Sequence, residues 1–433
     1  MKDTHKRLMA GVLAGTMLLS FAGCGVVSGK KSKKAKLEND TKAEAAFDYD
    51  EVKDTDYDEE QYSGDYNKYA FNIMAETASN SDADANIMIS PASIMFAMDM
   101  AAAGANGDTL DQINGVFTES GDPIEQQAFA SEMMDKINGS KDVEFSCANA
   151  IWNNEAILGN MISEDYVDYV EDVFSAEIRT EKFGDDTIKE INEWVEENTE
   201  GMIKEVVQEL SPTTAMILVN AIAFDAAWEE AYEDYQVNDG EFTTASGKTQ
   251  DVVFLSSTES TYFETDKATG FMKYYEGGDY AFVAILPTDE SISANEFIED
   301  FTGEDYAEFI GSKTYEYDVW TMLPEFEYDY EVEMTSILQD LGIEDAFDDN
   351  AADFSGISSA ANLFVSKVLH KTHIELDRNG TKAAAVTAVY LDAETAMEPA
   401  PAVEVYCDRP FAYAIVDVET MNPIFVGTVN SFE

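Results

Sequence analysis

Basic residues are scarce: 26 Lys and Arg stand against 87 Asp and Glu, a net charge of −61 over 433 residues. A phosphate backbone needs a basic footprint, so nucleic acid is excluded as a partner. The acidic surface keeps the chain soluble and favours basic partners at low salt. Cysteine is nearly absent as well. Apart from Cys24 only Cys147 and Cys407 occur, with no CxxC and no Cys/His cluster. That leaves neither a disulfide framework nor a structural zinc site, and the two read as free, buried thiols. Of three histidines, His5 lies at the extreme N-terminus, and no Gly-x-Ser-x-Gly elbow accompanies His370 or His373. Those two lie three apart in an alternating run, so they should face opposite sides of a strand and share no metal. No P-loop or dinucleotide fingerprint is present, so no cofactor, no metal and no catalytic activity are expected. Repeats of solenoid length are missing too.

What is present begins with a leader. Lys2, Lys6 and Arg7 precede an apolar stretch from Leu8 to Phe21, and Ala22-Gly23-Cys24 follows. This resembles a lipoprotein signal, with residues 1–23 removed and Cys24 acylated, so a surface-anchored or secreted extracellular protein is expected. Residues 24–65 are Lys-rich, then acidic, and read as a flexible spacer. Lys30, Lys31, Lys33, Lys34 and Lys36 lie where they could meet anionic lipid.

From Tyr66 onward the pattern is globular. Tyr66, Tyr69, Ala70, Ile73 and Met74 suit a helix. Ile87 to Ile89 reads as a strand stopping at Ser90-Pro91, and Ser93 to Ala103 as a helix. Ile191, Trp194, Val195, Met202, Ile203 and Val206 predict one amphipathic helix. Ala215 to Phe224, Tyr280 to Leu286 and Tyr317 to Leu323 read as buried strands. Strands and helices interleave without a βαβ rhythm, which predicts an α+β fold with large sheets.

A series of short blocks then resembles the serpins, a family of serine protease inhibitors. They are Asn86 to Ile94 with Gly104 to Thr109, Ala148-Asn-Ala-Ile-Trp152, Ile191 to Val195 with Asn198-Thr199, and Val219 to Phe224 with Trp228. Ala284 to Pro287, Leu323-Pro324, Ala346-Phe347 and Asp353 to Gly356 follow. His370 to Thr372, Gly380-Thr381 with Ala383 to Ala385, Asp408 to Phe411 and Phe425 to Gly427 complete the set. The resemblance covers residues 66–433. It implies three β-sheets, eight or nine helices, and a reactive loop, here about 378–405, that a target protease attacks as substrate. It further implies that the cut loop inserts into the largest sheet while the protease stays covalently attached. A monomer able to polymerise by loop insertion is implied too.

A loop that must become a buried strand needs alternation, small leading side chains and no proline. Thr381, Ala383, Ala385, Thr387, Val389 and Leu391 fall on one face; Lys382, Ala384, Val386, Ala388, Tyr390 and Asp392 fall on the other. Gly380 supplies the hinge freedom, and Pro399 and Pro401 lie beyond the inserting part. Family spacing puts the scissile bond at Glu394-Thr395, with Ala393, Ala396 and Met397 as neighbours also within reach. No Lys or Arg occurs from Ala383 to Asp408, so trypsin-like targets are disfavoured and elastase-like or subtilisin-like ones expected. A glutamyl-specific or a cysteine protease also fits. The resemblance implies a polar shutter of Ser90, Ser93, Asn220 and His370. It also implies a breach at Trp228, where Glu325 and Arg378 stand with signs exchanged relative to many relatives, which predicts an ion pair between them. Competing readings are a non-inhibitory carrier or chaperone, and an acidic adhesion lipoprotein.

Overall fold

A computed structural model describes residues 13–24, 45–141, 143–159, 161–359, 362–381 and 401–432. The main sheet runs β12 (Phe326–Glu333), β13 (Asn362–Leu376), β1 (Leu13–Cys24), β5 (Thr214–Ala227), β3 (Glu144–Asn154) and β4 (Glu177–Glu181). The two-residue β14 (Gly380–Thr381) pairs with the end of β5. A second sheet runs β2 (Ile87–Ile89), β17 (Pro423–Val429), β16 (Phe411–Asp417), β10 (Tyr280–Pro287), β9 (Ala268–Tyr274) and β8 (Thr261–Glu264). A third runs β15 (Ala402–Tyr406), β11 (Asp318–Pro324), β7 (Thr249–Glu259) and β6 (Val237–Thr243). Nine α-helices occur among the described residues. They are α1 (Glu59–Ser79), α2 (Pro91–Ala102), α3 (Gly107–Phe117), α4 (Pro123–Asn138) and α5 (Glu164–Phe174), then α6 (Asp185–Asn198), α7 (Ala294–Glu299), α8 (Gly303–Gly311) and α9 (Thr335–Asp340). This is the expected α+β architecture of three sheets.

Local chemistry explains the boundaries. Asp58 caps α1 by accepting from Gln61 N–H, and Ser90 caps α2 with Pro91 at its first turn. β5 is buried along almost its whole length because both faces are covered. One face joins the main core. The other meets α6 in a smaller cluster of Trp152, Ile191, Trp194, Val195, Ile217 and Val219. The predicted single helix through Val206 is interrupted: α6 ends at Asn198, and Glu200 and Gly201 adopt positive φ (52° and 85°). Met202, Ile203 and Val206 still turn inward, so apolar spacing survives where helical geometry does not.

Two expectations for the N-terminus differ from the structure. Residues 24–65 were expected to be a flexible spacer, yet from Ala45 the chain lies on the body. Tyr49 stacks on Tyr169 at 4.1 Å, Val52 is fully buried in a 3-10 turn, and Tyr57 meets Tyr62 and Phe129 edge-on. Their irregular spacing among carboxylates matches no helix or strand period, so a pattern search passes over them. Residues 25–44 lie outside the described part. The leader was expected to have no structural role, whereas Leu13–Cys24 forms a strand inside the main sheet. Its apolar alternation is what a strand slot with buried faces accepts. The side chain of Cys24, the expected acylation site, lies outside the described residues.

Candidate functional site

β13 delivers the chain to the hinge. Asp377 and Gly380 form an isolated antiparallel bridge, and Gly380 and Thr381 then pair with Ala227 and Ala226 of β5. Gly380 has φ +142°, and a Cβ there would stand 2.3 Å from the Ala226 carbonyl oxygen. Glycine is therefore required twice over, by conformation and by contact. Residues 382–400 lie outside the described part, and with them Ala383, Ala384, Ala385, Thr387 and every scissile candidate: Ala393, Glu394, Thr395, Ala396 and Met397. The chain returns at Pro401, whose carbonyl accepts from Asp318 N–H at 3.1 Å, and runs into β15 beside β11.

The ladder that β14 begins is continued by β1. Leu13 stands opposite Phe224 of β5 and Ile374 of β13, and the pairing runs on both sides down to Ala22 and Cys24. Continuing the hinge pairing one residue at a time would set residue 383 against the same two partners. By that count Met17, which faces Asn220 and His370, stands on the rung of Thr387. Met17, Leu19 and Phe21 are completely buried toward the main core, and Phe21 packs edge-on against Phe354 at 5.0 Å. Each such side chain contributes about 1.5–3 kcal/mol by burial.

The four shutter residues come together beneath this slot. Ser90 N–H donates to His370 Nε2 at 2.9 Å, and Ser90 Oγ donates to the Ile424 carbonyl at 2.8 Å. Ser93 Oγ donates to Asn220 Oδ1 at 2.5 Å, and Asn220 Nδ2 reaches Asn149 Oδ1 at 2.9 Å and Cys147 Sγ at 3.1 Å. Asn149 and Cys147 thus belong to the cluster, which the sequence reading missed. In the sequence Asn149 lies in the Ala148 to Trp152 segment, two residues from Cys147. Burial pushes the Cys147 thiol up to about 12 and holds the His370 imidazole down at about 3. The Thr16 backbone hydrogen-bonds the His370 imidazole and partly offsets that burial, whereas the buried Thr16 Oγ1 makes no hydrogen bond. Such an orphan costs roughly 1–3 kcal/mol, so β1 fills the slot well with its apolar face and imperfectly with its polar one.

At the breach, Trp228 Nε1–H donates to the Asp377 carbonyl at 3.0 Å, and its backbone N–H donates to the Asn379 carbonyl. The expected Glu325–Arg378 ion pair is not what forms. The Arg378 guanidinium turns to Asp234 Oδ1 at 2.7 Å and to the Tyr232 carbonyl at 3.1 Å. Glu325 instead accepts the backbone N–H of Arg378 at 3.2 Å. Glu325 is half-buried, and burial raises its carboxyl pKa, partly offset by that N–H. The guanidinium therefore stays at the rim, where Asp234 keeps most of its hydration.

The three-sheet α+β body carries a glycine hinge at the end of its main sheet, and the chain returns through β15 in the third sheet. Residues 65–432 match the sequence model of the family Serpin (serine protease inhibitor), and the chain belongs to that family. It is 30% identical over 435 residues to an uncharacterized serpin-like protein of Methanosarcina mazei, covering 98% of this chain and 97% of the relative. It is 29% identical over 384 residues to leukocyte elastase inhibitor A of Mus musculus, covering 86% and 100%. Among solved structures it is similar to tengpin, a thermophilic serpin, in the native state (TM-score 0.76, 37% identity, 87% and 96% covered). It is also similar to human thyroxine-binding globulin in complex with thyroxine (TM-score 0.74, 25% identity, 87% and 100% covered). Serpins as a family inhibit proteases rather than catalyse.

Proposed function

We propose that this serpin traps a serine protease by the suicide-substrate route. The protease cleaves between about Asp392 and Glu398, the freed strand enters the main sheet, and the acyl-enzyme is carried away from the hinge. The observation that carries the reading is the strand-wide slot between β5 and β13, in line with Gly380 and already begun by β14. The alternation from Thr381 to Leu391 suits that slot, its small residues leading. On this reading β1 is a placeholder that the loop replaces, and the trapping form is the chain without it. Absence of Lys and Arg from Ala383 to Asp408 favours an elastase-like or subtilisin-like target, and similarity to leukocyte elastase inhibitor A points the same way. Removal of residues 1–23 and acylation of Cys24 would place the inhibitor at a cell surface.

The test is incubation of a chain beginning at Ala45 with elastase, subtilisin, a glutamyl-specific protease and papain, followed by denaturing electrophoresis and mass spectrometry. A band at the summed mass, with release of a C-terminal peptide starting between residues 393 and 399, is expected. Clean loop cleavage with every protease left active would overturn inhibition. It would favour the carrier reading, for which similarity to thyroxine-binding globulin is the supporting observation.

A further inference from the structure

The outer face of the main sheet carries a rung pattern that breaks next to the hinge. On β12 and β13, Glu331 stands opposite Lys371 and Asp329 opposite His373, each an acid facing a base. Lys371 Nζ lies 3.4 Å from Glu331, and His373 Nδ1 lies 2.9 Å from Asp329 Oδ1. The next outward rung sets Glu327 against Glu375, two carboxylates directly across a strand pair, an arrangement that destabilises a sheet. Glu375 is half-buried, which makes its charge harder to hydrate, and no cation of the chain pairs with it among the described residues.

One donor atom from each of Glu327, His373 and Glu375 lies within 4.8 Å of the other two. His373 and Glu375 share a face of one strand because they are two apart, and Glu327 completes the triangle from the neighbouring strand. Metal–ligand bonds of about 2.0–2.2 Å set tetrahedral donors roughly 3.4 Å apart, so the two glutamate side chains would have to swing inward on binding. Asp329 meanwhile occupies Nδ1 of His373. Coordination through Nε2 would then give the imidazole the carboxylate partner that metal-bound histidines ordinarily have. The sequence shows no cysteine or histidine cluster, and no metal is expected from it. These ligands come from segments about fifty residues apart on two strands, so no local spacing announces them. The other group of three candidate ligands among the described residues, Glu144, Glu200 and Asp225, offers no nitrogen and carries no such argument.

We infer that Glu327, His373 and Glu375, backed by Asp329, form a binding site for one borderline divalent metal ion of the zinc or cobalt type, bridging β12 and β13 beside the hinge. One imidazole with two carboxylates suits such ions, whereas magnesium and calcium prefer all-oxygen sites. The ion would neutralise the Glu327–Glu375 rung and leave its remaining coordination positions to water.

The test titrates the full chain with Co²⁺ in a large excess of Mg²⁺, which occupies the many plain carboxylate sites. A ligand-field band saturating at one Co²⁺ per chain, and displaced by Zn²⁺, is expected. His373→Ala should abolish it, and Asp329→Asn should weaken binding by roughly 10–100-fold while the Co²⁺ spectrum persists. Glu327→Gln serves as a second variant should His373→Ala fold poorly, and the apo thermal midpoint checks each fold. Equal Co²⁺ affinity in wild type, His373→Ala and Glu327→Gln would overturn the proposal and leave only diffuse binding to an acidic surface. Absence of any ligand-field band would overturn it as well.

Discussion

Leu13–Cys24 and the segment after Gly380 both alternate, and the ladder between β5 and β13 has room for only one of them beyond Thr381. They differ in what they bring. Leu13–Cys24 inserts Met17, Leu19 and Phe21, large side chains that fill the core, and leaves Thr16 Oγ1 unpaired. The loop would bring Thr387, Val389 and Leu391 to those rungs, less apolar surface but a hydroxyl beside the shutter. It is also continuous with β14, so its insertion needs no second chain end to be recruited. Apolar area favours the first occupant; polar matching and connectivity favour the second.

Deleting residues 1–44 should separate the two most sharply. The chain beginning at Ala45 is expected to form a denaturation-resistant complex with an elastase-like protease. The chain that keeps β1 in the slot is expected to be cleaved without trapping. Equal complex formation by both chains in a gel assay would mean that β1 offers no obstacle. Next in size is Thr387→Arg, which leaves β1 untouched and places a charge on a rung facing the buried shutter. An unpaired buried charge costs several kcal/mol, so the short form should change from inhibitor to substrate, seen as cleavage with full residual protease activity.

The shutter yields a smaller effect that depends on pH. Burial holds the His370 pKa at about 3, below the ordinary 6.5, so the folded state binds its proton less readily than the unfolded one. Its contribution to stability is therefore complete above pH 6.5 and declines as pH falls from there toward 3, by about 1.4 kcal/mol per unit. Buried Asp99 works in the opposite direction, because burial raises its carboxyl pKa and favours the protonated fold. The comparison must therefore be between wild type and His370→Gln. The variant should be less stable at pH 7 and lose less stability down to pH 4.5 in urea unfolding. Parallel slopes for the two proteins would show that His370 takes up its proton as readily in the fold as in the unfolded chain.

Much of this arrangement was legible in the sequence, for reasons that differ residue by residue. β5, β10, β11 and β13 were readable because buried strands are continuous apolar or alternating runs. Ser90, Ser93, Asn220 and His370 were found through resemblance alone, since no periodicity joins residues 280 positions apart. Cys147 and Asn149 completed the cluster only through cross-strand register, because β3 lies beside β5. The docking of Phe47, Tyr49 and Tyr57 was hidden because irregular chain has no period. The placement of β1 was hidden for the opposite reason: an apolar stretch at an N-terminus matches a leader as well as a central strand.

The Glu325–Arg378 expectation failed for a physical reason that sets the smallest prediction. Sign complementarity said that the two could attract, but the hinge turn sends the Arg378 side chain outward to Asp234, which is 98% exposed. An ion pair at such a rim is worth about 0–1 kcal/mol. Arg378→Ala should therefore shift the urea midpoint little, and Arg378→Glu only slightly more through repulsion from Asp234. Because the Glu325 carboxylate holds the Arg378 backbone N–H rather than its guanidinium, Glu325→Lys should not rescue Arg378→Glu. It should instead be the more damaging change, since it removes the acceptor of a hinge N–H and places a second cation beside the turn. A double-mutant cycle decides it. Stronger coupling between positions 378 and 234 than between 378 and 325 is expected; restored stability in the Glu325→Lys, Arg378→Glu double variant would return the pairing to its sequence-based form.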